Sequence, residues 1–155
     1  MVTIPGISAT AAHVIIAEIG VDMSRLATVA HFRSWAGLCP QLNESAGKIM
    51  SRRLRHGAPW LKTVLVQCAW AATRNKHNYL YAQFVRLRAR RGPQKAIIAV
   101  AASILSIAYY LLRNQVPYRD LGALYFIRAD QERTAQRLAR RIEELGYEVQ
   151  IRKAA

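Results

Sequence analysis

The stretch Ala96–Leu112, "AIIAVAASILSIAYYLL", carries no charge over 17 residues and decides between two folds. Read as a bilayer span, it sits at the short limit of the ~20 residues a membrane requires, with basic residues on both flanks. Read as a soluble helix, it is the buried centre of a bundle, apolar on most sides. Its Ala and Ser content favours the second reading, because small residues let neighbouring helices approach on several faces. The fold expected is therefore mainly α, a multi-helix bundle built around this segment.

Outward from it the same periodicity recurs. "NYLYAQFVRLRARRG" presents Leu80, Phe84 and Leu87 on one side and ends in cations before Gly92-Pro93. Upstream, a helix over 59–74 places Leu61, Val64, Leu65, Cys68 and Ala72 in one stripe, with Pro59 in a first turn that tolerates it. Two further helices are expected over 8–19, entered from the Pro5-Gly6 turn and stopped by Gly20, and over 28–36. Between 36 and 59 lies a polar insert, "PQLNESAGKIMSRRLRHG", read as a loop. Downstream, "DQERTAQRLARRIEELG" is an amphipathic helix with acids early, arginines late and a glycine stop. "YEVQI" then alternates as a short strand. The chain divides into a helical body, 1–122, and a helix-strand appendage, 123–155.

Charge narrows the function. The chain of 155 residues is 52% hydrophobic, enough for a core, yet its formal net charge is +14. Between Glu44 and Asp120 there is no carboxylate, while 14 lysines and arginines fall in that interval. Solvated helices ordinarily mix signs to gain i,i+4 pairs, so phosphates are the expected counter-charge. Lys48, Arg52, Arg53, Arg55, Lys62, Arg86, Arg88, Arg90, Arg91 and Lys95 are the candidate nucleic-acid contacts. "IPGISATAAHVIIAEIG" has the form of the second half of a helix-hairpin-helix, whose turn, here with Gly6, offers backbone N–H groups to a phosphate; a plain tight turn entering a core helix fits the same residues.

Several chemistries are excluded. Gly47-Lys48 is not a phosphate-binding loop, because Leu42 stands where the first glycine belongs and Ile49 follows the lysine. The nine acids form no convincing metal set. Cys39 and Cys68 lack CxxC spacing and read as reduced, small hydrophobes. The N-terminus has no basic region ahead of its apolar residues and carries His13 and Glu18, unlike a secretion signal. Ser45, in "NESAGK", is on residue type alone an ordinary loop serine. A hydroxyl attacks a phosphodiester only when its proton is accepted and the developing charge is stabilised, and of these Lys48, Arg52, Arg53 and Arg55 supply only the second.

Six segments in order, "IPGI", "AEIG", "FRSWAGLCPQLNESAGK", "RLRHGAPWLKTVLVQCAWAA", "RLRARRGPQKAIIAVAASILSIAYYLLR" and "PYRDLGALYF", resemble the C-terminal domain of the insertion-sequence 110 family of transposases. These are also called DEDD transposases or bridge-RNA-guided recombinases. The resemblance implies that Ser45, in its "SAG" setting, is the nucleophile that joins a DNA strand end through a phosphoserine bond. It implies DNA and a guide RNA as partners, and an oligomer in which serine and carboxylates come from different subunits. The magnesium-binding acids belong to an N-terminal RuvC-like domain lying outside this sequence, so no cofactor is expected on these residues. Without that domain the chain is expected to be inactive in strand exchange, as a truncated or excised part of a transposase. The expected location is the bacterial cytoplasm, on the nucleoid when DNA is bound, with no membrane partner. The competing reading is a nucleic-acid-binding module without catalysis.

Overall fold

In the computed structural model the charge-free stretch lies within one helix of 22 residues, Pro93–Asn114, here α5. Its buried side chains include Ala96, Ile97, Val100, Ala101, Ile104, Leu105, Ala108 and Tyr109, two adjacent rows four residues apart that together make a broad apolar face. By length and composition α5 could cross a bilayer, but here three helices lie against it. The structure describes residues 1–26, 28–41, 43–51, 53–54 and 56–152, with the backbone alone at 43, 49, 50, 127, 129, 132 and 134.

The other elements follow in chain order as α1 (Ala9–Ile19), α2 (Val29–Trp35), β1 (Asn43–Ser45), β2 (Lys48–Ser51), α3 (Pro59–Ala72), α4 (Tyr79–Arg91) and, after α5, α6 (Tyr125–Glu143). Helices α2, α3 and α4 pack on α5, and α1 packs on α3. The core is continuous from Ile4 and Ile15 through Phe32, Leu61, Leu65 and Leu80 to Tyr109. The molecule is thus a mainly α, multi-helix bundle.

Local chemistry sets the boundaries. Ser8, Thr28 and Asn78 cap α1, α2 and α4 by accepting from the N–H of Ala11, His31 and Tyr81. Asn78 is buried, and its amide also donates to the Ala72 carbonyl at 2.9 Å, so one side chain closes α3 and opens α4. Gly92 ends α4 at a φ of 81° and Pro93 starts α5, which reverses the chain within one residue. Gly6, at a φ of 84°, presses its backbone onto α3, where a Cβ would collide with the Cys68 carbonyl and with Ala72.

Three features depart from the sequence reading. The insert read as a loop contains an antiparallel hairpin, β1 paired with β2. Helix α6 starts at Tyr125, five residues before Asp130, because Tyr125 and Phe126 seat against the Tyr79 ring at 5.2 and 5.1 Å. The segment "YEVQI", expected as a strand, has no strand pairing. The paired strands of the described residues are those of the hairpin, so an alternating segment at the C-terminus finds no edge to join.

Candidate functional site: a serine at the tip of a basic hairpin

The excursion from the bundle begins and ends at two glycines. Gly57 lies so close to the Ala36 carbonyl carbon and the Gly37 backbone that a Cβ would overlap them, which closes a neck between the end of α2 and the approach to α3. Above the neck, Pro40 and Leu54 form a bridge, and the Gln41 N–H donates to the Arg53 carbonyl at 2.7 Å. The register then runs Asn43 to Ser51, Glu44 to Ile49 and Ser45 to Lys48, with a bulge on the returning strand. Among the described residues the two strands contact each other and no helix, so the hairpin stands off the bundle.

At the tip, Ala46 and Gly47 form a two-residue turn with φ of 49° and 74°. Both values are left-handed, the primed-turn geometry whose twist suits a tight hairpin. Glycine takes it freely, whereas alanine there costs about 1 kcal/mol. Ser45 is the last residue before this turn and is exposed, as is its cross-strand partner Lys48. Cross-strand partners share a face, so the hydroxyl and the ammonium project together. Among the described residues no hydrogen bond engages Ser45 Oγ. Glu44 is its neighbour in sequence and projects from the opposite face of the strand.

The sequence-predicted cations divide by environment. Lys48 and Arg53 are exposed on the hairpin, and Arg88, Arg90, Arg91 and Lys95 are exposed where α4 gives way to α5. Lys62 is half-buried on α3. Arg52 and Arg55 lie outside the described residues. Arg86 is engaged within the fold: its guanidinium pairs with Asp130 at 2.6 Å and lies 5.0 Å over the Phe126 ring, tying α6 to α4. Gly6 is half-buried against α3, with Ile4 and Ile7 beside it in the core.

Aromatic groups at the hairpin's neck were not singled out from sequence. Trp35 is 47% exposed and Trp60 74% exposed, and a cleft of about 650 Å³ is lined by His31, Ser34, Trp35, His56, Gly57 and Ala58. The readable signal was the flanking of each neck glycine by an aromatic, in "SWAG" and "HGAPW".

Chemically, the tip presents a hydroxyl and a cation to solvent, and among the described residues no base is hydrogen-bonded to that hydroxyl. Among the described residues no three of His, Cys, Asp and Glu gather to hold a metal ion. Residues 1–86, which include the whole hairpin, match the model of a protein family described as Transposase IS116/IS110/IS902 family. No curated protein matches the chain.

Proposed function

The chain belongs to the IS116/IS110/IS902 transposase family, with a role in DNA transposition, and from that premise we propose that it is the serine-bearing half of a recombination site. Ser45 Oγ attacks the phosphorus of a DNA phosphodiester, forming a phosphoserine ester as the bond to the leaving strand's oxygen breaks. The serine proton passes to a base, and the leaving oxygen takes a proton, from groups outside these 155 residues. Lys48 offsets charge on the non-bridging oxygens as the new bond forms. The observation that carries this reading is the position of Ser45: exposed, beside a cation, at the end of a hairpin that reaches away from its own bundle. A nucleophile so placed is suited to an active site completed by another domain or subunit.

The proposed partners are DNA, through the exposed cations, a guide RNA, and a RuvC-like domain whose carboxylates hold magnesium and supply the acid–base assistance. The test is to mix the chain with a RuvC-like domain of this family, its guide RNA and labelled DNA, and to look for a protein–DNA adduct stable to denaturation. An adduct that persists unchanged in Ser45→Ala overturns the assignment. Among the described residues no base is hydrogen-bonded to Ser45, which favours a second reading, a nucleic-acid-binding module without catalysis. It predicts salt-dependent binding and no adduct in any mixture.

A further inference from the structure

Resting on that reading, we infer that the cleft at the neck of the Ser45 hairpin holds an unstacked nucleobase of the DNA strand the hairpin engages. The cleft is walled on one side by α2, through His31, Ser34 and Trp35, and on the other by His56, Gly57 and Ala58 as the chain returns from the hairpin. Its volume of about 650 Å³ is within the range of small-ligand sites.

Trp35 is built as a platform. Its indole stacks on the ring of Phe32, with centroids 6.0 Å apart and planes 17° apart, and Phe32 is fully buried. A ring supported in this way loses little freedom when a second flat group covers it, while nearly half of its surface stays open. The contact between the Gly57 and Ala36–Gly37 backbones fixes the two walls at close range. His31 and His56 are exposed at the cleft and offer ring nitrogens that donate to or accept from base edges. Among the described residues no carboxylate lines the cleft itself; Glu18 and Asp22 line the neighbouring pocket that shares Trp35 with it.

A base fits these features better than an apolar peptide side chain, because the walls combine one aromatic face with imidazoles and lie at the foot of a cationic hairpin. The six residue-to-residue steps from Lys48 to Leu54 span about 20 Å at most as extended strand. The base held is therefore no more than about six nucleotides from the phosphate at Ser45, since successive phosphates in a duplex strand advance by ~3.4 Å along the axis. Cleft and serine together would grip a locally opened strand at two points and fix which phosphate meets Ser45.

The experiment compares binding of the full chain to oligothymidylate, to a single strand carrying one fluorescent purine analogue, and to a duplex of equal length. Trp35→Ala is expected to weaken single-strand binding about tenfold and to abolish quenching of the analogue, with duplex binding changed less than about twofold. Trp35→Phe keeps most of the affinity and the quenching. His56→Ala, at an exposed position, weakens single-strand binding severalfold and serves if Trp35→Ala does not fold. Wild-type single-strand affinity in both Trp35→Ala and His56→Ala overturns the inference and leaves the Ser45 reading standing. A wild-type chain that binds neither single strand nor duplex also overturns the inference, whereas the Ser45 reading stands or falls by the adduct assay in the complemented mixture.

Discussion

Ser45 and Lys48 face one another across the Ala46-Gly47 turn, both exposed, on a hairpin that touches no helix among the described residues. Because Ser45 Oγ has no partner there, its removal leaves the fold alone. Ser45→Ala is expected to abolish the covalent adduct in the complemented reaction while changing unfolding free energy by less than about 0.5 kcal/mol. Lys48→Ala should keep the adduct but slow its formation by about 10²-fold, the scale for one lost charge-stabilising donor. Rates of adduct formation alongside urea unfolding curves check both; equal rates in wild type and Lys48→Ala would remove Lys48 from the chemistry.

The same separation of roles applies to the arginines. Arg90→Ala or Arg91→Ala, at exposed positions, should lower the slope of log affinity against log salt by about 1 each if those groups meet phosphates. Arg86→Ala should leave the slope unchanged, because its guanidinium is committed to Asp130 and Phe126. Its effect should instead be faster amide exchange along α6. A salt slope that falls as much for Arg86→Ala as for Arg90→Ala contradicts this division.

How far the sequence disclosed this arrangement depended on whether a signal was local. The α4–α5 reversal was legible because Gly92-Pro93 both stops and starts a helix, and α5 because its apolar rows repeat over about four turns. The Ser45 hairpin was not, because its strands are only three and four residues long, the first wholly polar, and are joined by Ala46 where Asn or Gly is the usual turn signal. The early start of α6 depends on Tyr125 and Phe126 meeting Tyr79, a contact 46 residues apart in sequence and invisible to periodicity. Conversely, "YEVQI" alternates well yet has no partner strand, since pairing is a property of the whole fold. The cleft was hidden for the same reason: Trp35 and His56 become neighbours only when Gly37 and Gly57 close the neck.

Two glycines of similar φ separate strain from packing. Gly20, at a φ of 72° and a ψ of −178°, has open space around it but holds a backbone conformation that essentially only glycine adopts, so Gly20→Ala should cost about 1–3 kcal/mol from strain alone. Gly6, at a φ of 84°, lies against Cys68 and Ala72 of α3, so Gly6→Ala adds overpacking of about 1–3 kcal/mol to its own positive-φ strain. Urea midpoints of the two variants measure the difference, and equal losses would mean that the Gly6 turn can lift off α3 freely.

Asn78 offers a two-sided test of the α3–α4 junction. Asn78→Ala removes the cap of α4 and strands the Ala72 carbonyl, for an expected loss of about 2–3 kcal/mol. Asn78→Asp retains an acceptor for Tyr81 but cannot donate to Ala72, and it places a carboxylate in a buried site. The aspartate variant should therefore recover only part of the loss near neutral pH, and a full recovery in thermal unfolding would show that the bond to Ala72 is unimportant.

Alkaline pH should expose the anchoring of the segment between α5 and α6. Burial, then the hydrogen bond it donates to Asp120 and that carboxylate's charge, push the Tyr118 phenol well above its ordinary value. Asp120 in turn accepts from the N–H of Tyr79 at 2.9 Å and of Gly122 at 2.6 Å, so the pair holds this segment against the start of α4. A phenol whose folded pKa lies above its unfolded one stabilises fully below the unfolded value of about 10 and loses that contribution as pH rises beyond it. Tyr118→Phe should thus be less stable than wild type near pH 7 by about 1 kcal/mol, the scale of one lost hydrogen bond. The gap should narrow above about pH 10, where the unfolded wild-type chain gains by ionising. Comparing the two proteins cancels the simultaneous discharge of lysines, and a gap of constant size from neutral to alkaline pH would refute the coupling of Tyr118 to Asp120.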